Sequence, residues 1–299
     1  MKKIPLLLLF WFARSFSVLA QGIGGQSVEV PFAFVQNEIV LQVTLNDRGP
    51  FTMLLDTGTD PSAVDFVTAR DLGLERGRPG GNSGTVRRPY LLRFARVGVG
   101  AVIATNVTAA ATDLSKVSER FGMPLHGVLG HSFLNGRIVQ VDYPRRVVRF
   151  YSVSPIGRSG DAQESSDYVK MAFRYDDNVL VDGIRVNGHT VTGDIDTGSD
   201  GAFKFTPKAV TDLGLDEDLR NARPTTSAGY DGVRNNFEGQ LRSSVTVGTI
   251  VVESPPVVFF GKGAVSEDKP WGVNIGNGFL KDYVVTIDYK SKVIVLQRP

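Results

Sequence analysis

Two stretches of the chain carry the same short motif, LLDTGTD at residues 54–60 and DIDTGSD at residues 194–200. Each places Asp-Thr-Gly after an apolar residue and follows it with a hydroxyl residue, which is typical of a tight turn at the end of a strand. A single tripeptide of this kind is weak evidence, because Asp, Thr and Gly are common in turns. The chain contains two, and their catalytic aspartate candidates, Asp56 and Asp196, lie 140 residues apart. This duplication predicts the architecture.

The two motifs belong to a longer internal repeat. Four further pairs of segments match in the same order: VPFAF (30–34) with VKMAF (169–173), RDLGL (70–74) with TDLGL (211–215), GVLGHSFL (127–134) with NIGNGFL (274–280), and IVQVDYPRRVVRF (138–150) with VVTIDYKSKVIVL (284–296). The repeat predicts two homologous lobes, a first lobe at residues 27–151 and a second lobe at residues 168–299. Residues 152–167 between them are polar and rich in Ser and Gly, which is typical of a linker.

Within each lobe the residue pattern is mostly that of β-strands. Short alternating or β-branched runs are separated by turn residues, and they predict strands at Ile39–Leu45, Phe51–Leu55, Val97–Val107, Ile138–Val141 and Val147–Phe150. The prediction is therefore an all-β protein with a few short helices.

The helix signals are few. In the second lobe Thr206 is a good N-cap, Pro207 suits the first helical position and Gly214 ends the segment. Asp65 and Gly73 bracket the corresponding helix of the first lobe. Two shorter helices are predicted at 132–134 and 278–280, after the Leu-Gly and Ile-Gly steps.

Composition excludes several classes of function. The 299 residues contain no Cys, so disulfides, Cys-ligated metals and thiol nucleophiles are absent. The three histidines, His126, His131 and His189, include no i, i+4 pair, and we expect no metal and no cofactor. With 33 Lys and Arg against 31 Asp and Glu, the charge is balanced, and we expect no nucleic-acid partner.

The first twenty residues have the pattern of a secretory signal peptide. Lys2 and Lys3 precede an apolar run, and Val18 and Ala20 occupy the small-residue positions of a cleavage site. The run ends at Arg14 and is shorter than the roughly 20 residues that a spanning helix needs. We expect cleavage after Ala20, no membrane span in the mature chain, and a periplasmic or secreted location in a bacterium.

Each Asp-Thr-Gly loop is followed, 73 or 79 residues after its aspartate, by a hydrophobic residue and then a glycine: Leu129-Gly130 and Ile275-Gly276. With these steps the chain resembles the pepsin/retropepsin superfamily of aspartic proteases over residues 28–298, specifically its bacterial single-chain members with two retropepsin-like lobes. The resemblance implies two β-barrel lobes related by a pseudo-twofold axis, with the active-site cleft between them. A single-chain monomer follows, because both aspartates lie in one chain.

The resemblance also implies a role for each loop residue. Asp56 and Asp196 are the catalytic pair, and two carboxylates so close cannot both ionise, so they share one proton. The ionised carboxylate activates water while the protonated one donates to the scissile carbonyl oxygen. The supporting residues are implied as follows: Thr57 and Thr197 bond across to the opposite loop, Gly58 and Gly198 leave room for backbone amides, Thr59 and Ser199 donate to the outer carboxylate oxygens, and Leu129, Gly130, Ile275 and Gly276 pack the loops from behind.

A flap is expected over the cleft. In the first lobe the matching segment is Arg76–Arg93, with Gly80, Gly81 and Tyr90, and in the second lobe it is Thr225–Gln240, with Tyr230. Spacing assigns the flap tyrosine of pepsin-like enzymes to neither Tyr90 nor Tyr230.

The predicted function is that of an aspartic endopeptidase acting on an extended peptide or protein. The alternative, from another class, is a non-catalytic extracytoplasmic peptide-binding protein on the same fold. Retention of both aspartates favours the enzyme.

Asp194 departs from the family pattern, since Leu54 stands at its place in the first lobe. Its carboxyl either raises the pKa of the catalytic pair or points outward. Because the mechanism has no task for it, we expect Asp194→Leu to retain activity.

Overall fold

The computed structural model describes residues 27–74, 88–156, 167–229, 232–263 and 269–299. The predicted signal peptide, most of the predicted linker, and Gly80, Gly81 and Tyr230 lie outside these ranges. Strand accounts for 52% of the structure and helix for 13%, which confirms the all-β class.

The first lobe is built from short strands and three short helices among its described residues. Its strands are β1 (Ser27–Pro31), β2 (Ala33–Val35), β3 (Glu38–Leu45), β4 (Arg48–Leu55), β5 (Ser62–Asp65), β6 (Tyr90–Val99), β7 (Val102–Thr112), β8 (Gly127–Leu129), β9 (Ile138–Asp142) and β10 (Val147–Tyr151). Its helices are α1 (Phe66–Asp71), α2 (Ser115–Phe121) and α3 (His131–Leu134).

The second lobe repeats this plan. Its strands are β11 (Tyr168–Ala172), β12 (Arg174–Tyr175), β13 (Val179–Val186), β14 (His189–Ile195), β15 (Phe203–Phe205), β16 (Arg223–Gly229), β17 (Gly232–Gln240), β18 (Val245–Val247), β19 (Ile250–Val252), β20 (Pro256–Phe260), β21 (Val273–Ile275), β22 (Val284–Asp288) and β23 (Val293–Gln297). Its helices are α4 (Pro207–Asp212), α5 (Asp216–Arg220) and α6 (Asn277–Leu280).

Each lobe has its own sheet. In the first lobe the strand order is β2-β3-β4-β8-β5-β7-β6, and β6 also pairs with β3, which closes a six-stranded barrel. In the second lobe the order is β16-β17-β20-β15-β21-β14-β13-β18-β19. Closing a sheet removes its unpaired edges, so a lobe of short strands becomes a stable unit.

A third sheet joins the lobes, in the order β1-β10-β9-β22-β23-β11. Its centre is the antiparallel pair of β9 and β22, in which Gln140 lies opposite Thr286 and donates to its hydroxyl at 2.9 Å. Thr286 is the residue that the repeat matches to Gln140. The pseudo-twofold axis therefore passes between these two residues, and the lobes are related as the sequence repeat predicts.

The capped helices form where the sequence predicts them. The Thr206 hydroxyl accepts from the Ala209 N–H at 3.2 Å, and Pro207 begins α4. The Asp65 carboxylate accepts from the Val67 N–H at 2.8 Å and begins α1. These side chains satisfy backbone donors that the first helical turn leaves unpaired.

One predicted strand is wrong. The run Val97–Val107 is not continuous, because β6 ends at Val99 and β7 begins at Val102. Gly100 has a φ of +57°, a left-handed conformation that glycine adopts without steric cost, and it turns the chain back into a hairpin. Helices α2 and α5 were not predicted, since neither has a capping side chain at its N-terminus.

Helix α2 covers a small apolar cluster that faces the cleft side of the first lobe. Val117 and Phe121 of α2 pack there with Val40, Leu54 and Val128. In the second lobe the matching strand positions are Leu180, Asp194 and Asn274, as the register shows. Two of these three apolar positions of the first lobe are thus polar in the second lobe, Asp194 and Asn274.

Candidate active site

Both Asp-Thr-Gly loops begin where a central strand ends. Strand β4 runs parallel to β8, and the Asp56 N–H donates to the Leu129 carbonyl oxygen at 3.1 Å. Strand β14 runs parallel to β21 in the same way, and the Asp196 N–H donates to the Ile275 carbonyl oxygen at 3.0 Å. The hydrophobic-glycine steps therefore fix the start of each loop.

The glycines of these steps are needed for space. A Cβ atom on Gly130 would lie 2.2 Å from the Thr59 carbonyl oxygen, and one on Gly276 would lie 2.5 Å from the Ser199 carbonyl oxygen. Both distances are shorter than any real Cβ contact, so a side chain at either place would displace an active-site loop.

Thr57 and Thr197 join the two loops through four buried hydrogen bonds. The Thr57 hydroxyl donates to the Ile195 carbonyl oxygen at 2.7 Å and accepts from the Thr197 N–H at 3.0 Å. The Thr197 hydroxyl donates to the Leu55 carbonyl oxygen at 3.0 Å and accepts from the Thr57 N–H at 3.1 Å. Buried backbone groups that lack water are satisfied in this way, and the loops are held at a fixed separation.

The carboxyl groups of Asp56 and Asp196 lie close together, near enough for the charge of Asp196 to raise the pKa of Asp56. The Gly58 N–H donates to Asp56 Oδ1 at 2.7 Å, and the Gly198 N–H donates to Asp196 Oδ1 at 2.8 Å. A Cβ on Gly198 would lie 2.2 Å from Asp56 Cγ, and one on Gly58 would lie 2.8 Å from Asp196 Cγ. Each loop glycine thus leaves room for the carboxyl group of the other lobe.

The outer carboxylate oxygens are bonded differently in the two lobes. The Thr59 hydroxyl donates to Asp56 Oδ2 at 2.6 Å. The expectation that Ser199 does the same for Asp196 is wrong, because its hydroxyl is buried and has no hydrogen-bond partner among the described residues. Asn274 takes that place, and its Nδ2 donates to Asp196 Oδ2 at 2.7 Å.

The charge state of the pair follows from its surroundings. Burial raises the pKa of Asp56 well above its ordinary value, and the charge of Asp196 and the hydrogen bond between the two carboxyl groups raise it further. Donation from Thr59 and Gly58 offsets part of this increase in pKa. These surroundings favour a pair that holds one proton between its two carboxyl groups and titrates as one unit.

Two further residues support the second loop and were missed by the sequence analysis. The Asn277 side chain donates from Nδ2 to the Thr197 carbonyl oxygen at 2.7 Å. Tyr143, from the first lobe, donates its hydroxyl to Asn277 Oδ1 at 2.6 Å. Both residues lie in repeat segments, but the repeat does not pair them, and only the join between the lobes brings them together.

The aspartate pair lines a cavity of about 180 Å³ between the lobes. The hairpin of β16 and β17, which lies within the predicted flap segment Thr225–Gln240, contributes Ser227 and Arg234 to its wall. Tyr90 does not line the cavity; its ring stacks on Phe66 with centroids 6.0 Å apart. Two larger grooves of about 770 and 740 Å³ contain neither aspartate.

Charged side chains close one side of this cavity. Arg120 on α2 pairs with the buried Glu38 of its own lobe and, at 3.2 Å, with Asp200 of the second lobe. Lys204 also pairs with Asp200, at 2.6 Å. These acidic side chains are therefore neutralised by basic partners, unlike the aspartate pair itself.

Within the described residues, no group of three or more His, Asp or Glu side chains is arranged to hold a metal ion. Over the same ranges, no helix is long and apolar enough to cross a membrane.

Comparison with known proteins agrees with this site. Residues 41–133, which include the Asp56 loop and the Gly130 step, match the family described as aspartyl protease. No curated protein matches the chain. Among solved structures, the crystal structure of a retropepsin-like aspartic protease from Rickettsia conorii is 18% identical, covering 44% of this chain and 89% of that chain with a TM-score of 0.32. The family match covers less than half of the chain and lies wholly in the first lobe.

Proposed function

We propose that the protein is an aspartic endopeptidase in which Asp56 and Asp196 activate a water molecule to hydrolyse peptide bonds. One observation carries the proposal: two carboxyl groups, supplied by two copies of one loop, each lie against the glycine of the other loop and are held by matched backbone amides. A structural turn has no need of two half-buried carboxyl groups placed close together without a basic partner, because removing such groups from water is costly. The family match supports protease function in general.

In the proposed mechanism Asp196 carries the negative charge and Asp56 the shared proton. Asp196 takes a proton from a water molecule lying between the carboxyl groups while the water oxygen attacks the carbonyl carbon of the substrate. Asp56 donates its proton to the carbonyl oxygen, which gives a neutral tetrahedral intermediate. The amide nitrogen then takes a proton from Asp196, a hydroxyl of the intermediate returns its proton to Asp56, and the carbon–nitrogen bond breaks, so the pair again holds one proton.

The threonine network gives this chemistry its geometry. Thr57 and Thr197 fix both loops through buried hydrogen bonds of 2.7 to 3.1 Å, so the carboxyl groups need little reorganisation during the reaction. The substrate that suits the site is an extended peptide, because the cleft lies between two β lobes and beneath the β16–β17 hairpin.

Cleavage of an unbiased peptide library tests the proposal. The mature chain, from residue 21 onward, is incubated with the library between about pH 3 and 8, and products are identified by mass spectrometry. We expect internal cleavage that is absent in Asp56→Asn and in Asp196→Asn. Binding of peptides without cleavage at any pH would instead support the non-catalytic binding protein.

Location and assembly are part of the proposal. The signal-peptide pattern of residues 1–20 supports secretion into the periplasm or beyond. Both aspartates belong to one chain, and their loops bond across the lobes through Thr57 and Thr197, which supports a monomer as the active unit.

A further inference from the structure

Asp194 is buried directly behind the aspartate pair. It lies two residues before Asp196 on β14, and its side chain is 1% exposed. Of the two alternatives left open by the sequence, the outward-pointing carboxyl group is therefore wrong. Its Oδ2 accepts two hydrogen bonds of 3.1 Å, one from Asn178 Nδ2 and one from Asn274 Nδ2.

Asn274 connects this carboxyl group to the catalytic one. The same Nδ2 atom that donates to Asp194 Oδ2 also donates to Asp196 Oδ2 at 2.7 Å. An amide nitrogen has two N–H bonds, so one is directed at each carboxyl group. If the Asn274 amide were rotated by half a turn, its oxygen would face the carboxyl oxygens of Asp194 and Asp196, which are both acceptors. Asp194 therefore favours the orientation in which the amide nitrogen donates to Asp196.

The first lobe has no such arrangement. Leu54 and Val128 occupy the matching positions and pack beneath α2. Asp56 receives its outer hydrogen bond from Thr59, whereas the Ser199 hydroxyl has no partner among the described residues. In the second lobe the donor to Asp196 is thus Asn274 on β21 and not the hydroxyl residue of the loop. The orientation of Asn274 depends on Asp194 beside it.

The surroundings of Asp194 favour its neutral form. Its Oδ1 is buried and has no hydrogen-bond partner among the described residues, which would be costly for an ionised carboxylate. Burial raises the pKa of Asp194 well above its ordinary value, and the charge of Asp196 raises it further. The other titratable groups that face it are Lys269, which lowers the pKa, and Tyr289.

We propose that Asp194 is a neutral positioning residue that holds the Asn274 amide as the hydrogen-bond donor to Asp196. A neutral acid accepts both amide N–H groups through Oδ2 without placing a second anion beside Asp196. The expected effect on kcat rests on the proposed function, whereas the neutral state of Asp194 and the orientation of Asn274 do not. It replaces the expectation that Asp194→Leu retains activity.

Three variants test the kinetic consequence. Asp194→Asn keeps an acceptor oxygen and no charge, and we expect kcat within about threefold of the wild type. Asp194→Leu and Asn274→Val install the residues of the first lobe and remove the donor or its support. We expect kcat to fall about tenfold or more with KM nearly unchanged, and the double variant to lose little beyond Asn274→Val alone.

The pH profile separates this role from a structural one. Loss of a donor disfavours the ionised carboxylate, so the acid limb of kcat/KM moves to higher pH in Asp194→Leu and Asn274→Val. Asp218→Leu, which removes another buried aspartate that is bonded to Arg242, should lower stability without moving that limb. An unchanged profile and kcat in both first-lobe variants would overturn the proposal, and so would an inactive but folded Asp194→Asn.

A second readout does not depend on peptidase activity. In wild-type protein labelled with ¹³C at the aspartate carboxyl groups, we expect a protonated carboxyl signal near pH 7 that is missing from Asp194→Asn. If no peptide is cleaved but this signal is present, the proposed function fails while the neutral Asp194 stands. If the signal lost in Asp194→Asn titrates like an ordinary aspartate, with a pKa of about 4, the inference fails.

Discussion

Arg120 of the first lobe donates to Asp200 of the second lobe at 3.2 Å, and this contact closes one side of the cleft. The same guanidinium pairs with Glu38, whose side chain is 2% exposed. Asn37 adds a second contact between the lobes, from its Nδ2 to the Asp200 carbonyl oxygen at 3.1 Å. Arg120 therefore links a buried glutamate of the first lobe to the contact between the lobes.

The first prediction concerns the pH dependence of stability. Burial raises the pKa of Glu38 to about 7 from its ordinary value of 4.5, although Arg120 lowers it. Between these two pH values Glu38 binds more protons in the folded protein than in the unfolded chain. Its contribution to stability is therefore complete below pH 4.5 and is lost as the pH rises through about 7. Glu38→Gln removes this titration, and we expect a smaller fall in Tm between pH 4.5 and 7.

Glu253 is exposed, so Glu253→Gln serves as the matched control. It should leave the fall in Tm with pH as it is in the wild type. Asp56 and Asp194 contribute a slope of the same sign, so the slope in Glu38→Gln is reduced and not abolished. An identical fall in Tm for wild type and Glu38→Gln would contradict the assignment.

The second prediction concerns the threonine pair. Thr57→Val and Thr197→Val keep the shape of the side chain but leave a buried backbone N–H and a buried carbonyl without partners. We expect each to lower stability by about 2 to 4 kcal/mol, because unsatisfied buried polar groups are costly. Thermal unfolding followed by circular dichroism measures the effect.

Thr44→Val is the control, since the Thr44 hydroxyl makes one long bond of 3.5 Å to the Gly98 carbonyl oxygen, away from the cleft. Losses of stability no greater than that of Thr44→Val would show that the hydroxyl network does not join the loops.

The third prediction concerns the glycines behind the loops. Gly130→Ala and Gly276→Ala place a Cβ at 2.2 and 2.5 Å from the carbonyl oxygens of Thr59 and Ser199, so the loops must shift. We expect each variant to lose about 3 kcal/mol or more of stability and most of its activity.

Gly122→Ala tests glycine replacement without a clash, because nothing lies within 4 Å of its Cβ although φ is +65°. It should cost only about 1 kcal/mol. Equal effects in all three variants would refute the steric argument.

The fourth prediction concerns assembly. Because the two loops belong to one chain, specific activity should be independent of protein concentration. Activity measured over a dilution series, alongside sedimentation velocity, checks this. A specific activity that falls on dilution together with a dimer population would show that the active unit is not the monomer.

The internal repeat made most of this fold predictable. Gln140 and Thr286 meet on the axis because they are repeat mates, and such symmetry can be seen in the sequence. The hairpin at Gly100 was missed because a β-branched run continues on both sides of one glycine. Helix α2 was missed because its stability comes from burying Val117 and Phe121 and not from a cap.

The departures from the repeat could not be predicted. Ser199 matches Thr59 in sequence, yet the donor to Asp196 is Asn274, whose repeat mate is Val128. Contacts of this kind depend on which strands become neighbours, and β21 is 78 residues away from Asp196 at the position of Asn274. The hydrogen bond from Tyr143 to Asn277 joins the two lobes, and it too depends on which segments become neighbours in the fold.

The central claim is that Asp56 and Asp196 act as one unit, and a double-mutant cycle on kcat/KM tests it most directly. The rates of wild type, Asp56→Asn, Asp196→Asn and the double variant are measured on one cleaved peptide across the pH range. Either single change should reduce kcat by several orders of magnitude, and the double variant should lose little more, because the members of a unit are not additive. The wild-type profile should be bell-shaped, with limbs set by the shared proton. Full activity in Asp56→Asn, or a rate that rises steadily into alkaline pH, would contradict the account.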